Sequence, residues 1–160
     1  MIINLYYSLV FLMVAGFAVY DIYKKRVPNK ALVFCIPAAL LAPIVNTLAN
    51  NAGGFDLAIF ADFFLTALLG AAVGFIIMLG AAMASKDGNG VGGGDIKLSG
   101  LMGFIYGPYG MILILLAASL LAMPVGLIRK RASKDKTLRL AFVPFLAAGS
   151  LAVMIALLII

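Results

Sequence analysis

The sequence predicts an all-α fold: a polytopic transmembrane helical bundle of about six spanning helices, with N- and C-termini outside. Two observations carry this. Apolar residues make up 65% of the 160-residue chain and charged residues only 11%, against roughly 45–50% and about 25% in a soluble domain. The apolar residues also fall into long runs at the scale of the bilayer core, which a helix crosses in about 20 residues. The runs cover approximately 3–20, 31–49, 57–84, 96–106, 109–128 and 140–160. They leave no room for a separate soluble domain of ordinary size, so residues 1–160 are read as a single transmembrane domain.

The first run has no basic residue ahead of it and is about 18 residues long, which suits a retained helix better than a cleaved signal peptide. The second follows a basic stretch. The third is dense in small residues, and Gly70 and Gly74 form a G-x-x-x-G that lets two helices approach closely. Packing within the bundle is the expected use, with homo-oligomer formation as the alternative. The fourth run is short for a span, and Gly100, Gly103, Gly107 and Pro108 interrupt its surroundings. It reads either as a short tilted helix inside the bundle or as one arm of a kinked hairpin over 96–128.

The basic residues give the expected orientation. Lys24, Lys25, Arg26 and Lys30 lie between the first two runs, Lys86 between the third and fourth, and Lys97 just inside the fourth. Arg129, Lys130, Arg131, Lys134, Lys136 and Arg139 lie between the last two. All twelve positive charges thus fall on alternate connections, which the positive-inside rule assigns to the cytoplasm. The net charge of +6 follows from this pattern and not from a nucleic-acid surface, because the basic stretches are short and flank spanning helices. The expected location is the inner (plasma) membrane, with the lipid bilayer as a partner and no nucleic acid.

The chemistry open to the chain is narrow. There is no histidine, which removes Ser/His/Asp and Cys/His catalysis and most zinc sites. One cysteine, Cys35, excludes an internal disulfide and a cysteine-cluster metal site; in its apolar run it reads as a packed hydrophobe. No metal and no cofactor are expected. All six acids are aspartates: Asp21, Asp56, Asp62, Asp87, Asp95 and Asp135.

Two of them stand out. Asp21 ends the first run and Asp95 begins the fourth, so both fall at the expected cytoplasmic edge, and a bundle can bring those helix ends together. Paired carboxylates suit peptide hydrolysis, since two like charges close together resist ionising together and share a proton. The ionised partner then takes a proton from water while the protonated one donates to the carbonyl oxygen or the leaving amine. Asp95 closes the run Asp87-Gly88-Asn89-Gly90-Val91-Gly92-Gly93-Gly94-Asp95, whose glycines let an extended peptide come close. The plainer alternatives are a helix cap for Asp95 and a surface ion pair with Lys24 or Lys25 for Asp21. Asp56 is expected to cap the third helix and Asp62 to sit near the interface, while Asp87 and Asp135 are expected to be solvated, with Asp87 in reserve.

These residues resemble the prepilin peptidases. Asp21 followed by Lys24-Lys25-Arg26-Val27-Pro28-Asn29 looks like that family's first aspartate with its basic stretch and Pro-Asn pair. Gly92-Gly93-Gly94-Asp95-Ile96-Lys97-Leu98 looks like its Gly-x-Gly-Asp block, and Leu140 to Gly149 like its last-helix Pro-Phe-Leu-Ala block. The resemblance implies a membrane-embedded aspartic endopeptidase that removes short basic leaders from type IV pilin-like precursors at the cytoplasmic membrane face. It implies catalytic roles for Asp21 and Asp95, a loop that shapes the site for Gly92 and Gly94, and supporting or substrate-binding roles for Lys97, Pro28 and Asn29. The chain looks like the short, peptidase-only form found with tight-adherence pili or archaeal preflagellins, so no methyltransferase activity and no zinc are expected. The presenilin and signal-peptide-peptidase group shares Tyr-Asp plus Gly-x-Gly-Asp. The Pro-Asn after Asp21 and the absence of a Pro-Ala-Leu near the C-terminus favour the prepilin reading. A non-enzymatic assembly factor or small transporter is the alternative from another class.

Overall fold

The computed structural model of the chain describes residues 2–24, 29–51, 54–84, 92–132 and 141–159. These form five helical elements and, among the described residues, no strand: α1 (Ile2–Lys24), α2 (Asn29–Asn50), α3 (Leu57–Ala84), α4 (Gly93–Ala132) and α5 (Val143–Ile159). Four of the helices are long and apolar enough to cross a membrane, and α5 is a shorter apolar helix. Large apolar side chains cover the outside. On α1, Leu5, Leu9 and Leu12 are about 60% exposed (64%, 58% and 65%), as expected where the surrounding solvent is lipid. The chain is therefore a polytopic membrane helical bundle, in agreement with the sequence.

Local signals set several ends. Asp56 caps α3 as expected: its Oδ1 accepts the N–H groups of Ala58 at 2.8 Å and Ile59 at 3.5 Å, satisfying donors that the first turn leaves orphaned. Pro144 lies in the first turn of α5, where a missing N–H costs nothing. Cys35 is buried, as predicted, and Asp62 is exposed. Asp87 and Asp135 lie outside the described residues.

The uncertain fourth and fifth runs resolve at Gly107. Its φ of 71° and ψ of 178° break the helix inside α4, and this left-handed φ suits glycine because a Cβ there would be strained. Pro108 follows, where it cannot continue the preceding helix. The contacts on α3 show that the break is a reversal. Gly70 faces Gly103 and Gly107, while Gly74 faces both Ser99 and Met111. Residues 99 and 111 thus stand side by side, so the first half of α4 (93–106) runs antiparallel to α3 and the second half (108–132) runs back alongside. The hairpin alternative is the observed one. Gly100 and Gly103 stay helical, and the latter serves close packing.

Gly70 and Gly74 pack inside the molecule. A Cβ on Gly70 would overlap the Gly103 carbonyl oxygen, and one on Gly74 the Ser99 carbonyl oxygen. The two backbones can meet this closely only where side chains are absent. α1 lies differently. It packs on α2 and α5, but its Cα atoms all stay more than 8 Å from those of α4 among the described residues. Side chains bridge the gap, as in the Tyr7–Tyr106 ring pair with centroids 5.3 Å apart.

Candidate active site

Both singled-out aspartates occupy core positions of their helices. On α1 the buried residues are Tyr6, Val10, Val14, Ala18 and Asp21, one stripe at helical spacing that ends in the acid. On α4 the buried stripe begins with Asp95 and continues through Leu98, Ser99 and Met102. The pattern that turns valine and leucine inward therefore turns the carboxylates inward too. Asp21 is 3% exposed and Asp95 8%. Burying an unpaired surface acid this deeply would be costly, so acids on core stripes of membrane helices mark function.

The structure brings the two together. Asp21 is close enough to Asp95 to act on it electrostatically, although 74 residues separate them in the sequence. Asp21 Oδ2 also accepts the N–H of Val143 at 3.3 Å. That N–H belongs to the first residue of α5, where the aligned peptide dipoles favour an anion. Asp95 stands in the first turn of its own helix, with its N–H bonded to the Gly92 carbonyl at 2.9 Å. Two helix N-termini thus converge on the acidic pair and offset part of its repulsion. Asp95 lies inside the helix rather than at its cap, and the described partner of Asp21 is a backbone N–H rather than a lysine. The cap alternative for Asp95 gives way on these contacts, while Lys25 of the ion-pair alternative lies outside the described residues.

Of the glycine-rich run, Gly92, Gly93 and Gly94 lie among the described residues. Gly92 is exposed beside the Asp95 carboxyl, and a Cβ there would lie 3.3 Å from Asp95 Oδ2. A side chain there would crowd that side of the carboxylate. Gly94 is half-buried in the first turn of α4. Lys97 is exposed one half-turn beyond Asp95. Asn29 opens α2, and Pro28 lies outside the described residues. Among the described residues, no three His, Cys, Asp or Glu side chains cluster as metal ligands. A buried pair of oxygen acids with an open glycine edge can move protons to and from a water and a peptide bond.

Sequence reasoning missed Val143 and Ser99. Val143 acts through its backbone N–H, which any residue except proline offers, so its side chain gives no signal. Ser99 lies one turn after Asp95, and that spacing could have flagged it.

Comparison with known proteins places the chain among relatives. Residues 6–127, well over half of the chain, match the type IV leader peptidase family. The chain is 33% identical over 139 residues to the "Prepilin leader peptidase/N-methyltransferase" of Bacillus subtilis (strain 168). That match covers 84% of this chain and 48% of the relative, so the chain spans about half the relative's length. No solved structure matches it.

Proposed function

Because the chain belongs to the type IV leader peptidase family, we propose that it is an aspartic endopeptidase that removes leader peptides from type IV pilin-like precursors at the cytoplasmic face of the plasma membrane. One observation carries the aspartic mechanism: Asp21 and Asp95, buried on the core stripes of α1 and α4, stand within electrostatic reach of each other beside an exposed glycine edge. The family match supports a peptidase, and these are the acids that the described site offers for the chemistry. Of the two activities in the relative's name, the pair suits the first.

The chemistry follows from the arrangement. With one proton between the two carboxylates, the ionised member takes a proton from a water molecule whose oxygen attacks the scissile carbonyl carbon. The protonated member gives its proton toward the carbonyl oxygen. As the tetrahedral intermediate collapses, the carboxylate now protonated gives its proton to the departing amine, the other takes a proton from a hydroxyl of the intermediate as the carbonyl reforms, and the C–N bond breaks. The pair ends with the proton it began with, ready for the next turnover. The pair titrates as a unit, so neither step belongs to one residue alone. Burial strengthens each of these electrostatic effects relative to bulk water.

Membrane placement supplies the selection. The helix ends next to the basic stretches gather at the aspartate end of the bundle, consistent with a cytoplasmic site. A precursor whose apolar helix enters the lipid presents its leader junction at that depth.

Co-expression with a pilin-like precursor tests the reading. The wild type should produce a leader-sized mobility shift, and Asp21→Asn and Asp95→Asn, inserted and folded, should produce none. Wild-type processing by both variants would refute the mechanism. Spacing the scissile bond several residues away from the precursor's apolar segment should slow cleavage sharply, and equal rates would refute depth selection.

A further inference from the structure

Asp95 is held in place by the packing of its helix on α3. Ser99, one turn beyond Asp95 on the same buried stripe, is fully buried. Its hydroxyl lies 3.0 Å from the Gly74 carbonyl oxygen on α3 and 2.8 Å from the Ile96 carbonyl oxygen of its own helix. The one hydroxyl proton serves these two acceptors, tying α4 to α3 directly below the aspartate. One turn further on, Gly103 and Gly70 meet backbone to backbone. Two contacts a turn apart on α3, at Gly70 and Gly74, thus engage two contacts a turn apart on α4, at Gly103 and Ser99. Two such points fix both how far α4 slides along α3 and how it is rotated about its own axis. A single contact would leave one of these free.

Toward α1 there is no such backbone contact. The backbones of α1 and α4 stay more than 8 Å apart among the described residues, so α1 cannot set the height of Asp95 by direct backbone packing. On the peptidase reading above, the separation of the two carboxylates is the quantity that catalysis depends on. We propose that Gly70, Gly74, Gly103 and Ser99 are positioning residues whose contact with one another sets the reach from Asp95 to Asp21.

A catalytic group displaced by about 1 Å can cost about 10²-fold in rate. A Cβ on Gly74 would overlap the Ser99 carbonyl oxygen and approach the Met111 Cγ at 3.2 Å, which forces α4 away from α3. In purified protein in lipid, with rates normalised to the folded fraction from circular dichroism, Gly74→Ala is expected to lower kcat for a pilin-like precursor by ~10²-fold. Its KM should stay within about twofold, because a shift of Asp95 alone changes interactions made in the transition state and not uniform binding. Ser99→Ala, which removes the tie without adding bulk, should lower kcat by about tenfold on the same reasoning. Gly80→Ala is the control on the same helix, since nothing lies within 4 Å of the Cβ it adds, and it should match the wild type. Wild-type kcat per folded Gly74→Ala molecule, or a raised KM with kcat preserved, would overturn the proposal. If Gly74→Ala does not fold, Ser99→Ala decides: an unchanged kcat overturns it. Asp95→Asn in the same assay separates the two claims, since wild-type cleavage by that variant refutes the peptidase reading whatever Gly74→Ala does.

Discussion

The two sides of the first half of α4 are built on opposite principles. Toward α3 it comes into backbone contact: Gly103 lies on Gly70 and the Ser99 backbone on Gly74, close enough that one added methyl group at Gly70 or Gly74 would collide. Toward α1 the backbones stand more than 8 Å apart among the described residues, and side chains fill the space between. In a bilayer, where helix association cannot draw on the hydrophobic effect, close backbone packing and hydrogen bonds supply the adhesion. The α3 side uses its small residues for close backbone contact, whereas α1 meets α4 through side chains, the two aspartates among them.

Several substitutions sharpen or break that contrast. The largest effect belongs on the α1 side. Removing the acid function at Asp21 or Asp95 with Asn should lower precursor cleavage by about 10²–10⁴-fold or more while leaving the thermal midpoint close to that of the wild type. Next comes the α3 side: Gly70→Ala places a Cβ against the Gly103 carbonyl oxygen and 2.6 Å from the Gly107 carbonyl carbon. It should destabilise the protein by about 1–3 kcal/mol in a detergent unfolding titration. If it proves neutral, the two helices are not locked. Gly107→Ala imposes a Cβ on a φ of 71° and should cost about 1 kcal/mol or more, measured in the same way. The smallest effect is expected where α1 is tethered through a side chain. Tyr6 Oη donates to the Ala38 carbonyl at 2.7 Å, and Tyr6→Phe should cost about 1 kcal/mol. A loss as large as that of Gly70→Ala would mean that α1 is held as firmly as α3.

Much of the architecture was legible in the sequence because lipid imposes a length rule on apolar runs. The predicted 57–84 run coincides with α3 (Leu57–Ala84), and the other five runs lie within a few residues of helical segments. Asp21 and Asp95 were legible for a related reason: an acid at the end of an apolar run is expensive unless it has a task. The four glycines around the fourth run were not separable in advance. Gly107 turns the chain, Gly103 admits a neighbouring backbone, and Gly100 stays in ordinary van der Waals contact with Ala71 and Phe75. The difference lies in what each one faces, and that depends on a partner helix some 30 residues earlier. The Val143 N–H is still less visible, 122 residues from the carboxylate it serves.

The reversal at Gly107 also decides the sidedness of everything after it. A straight helix over the 40 residues of α4 would run about 60 Å, twice the hydrocarbon thickness, and would emerge on the face opposite Asp95. α5 would then begin on the wrong side of the lipid, with no N–H to offer Asp21. One left-handed torsion therefore sets the parity of the passes. The last helix begins at the same end of the bundle as the first acid, and the turn that returns the chain there is packed against the middle of α3.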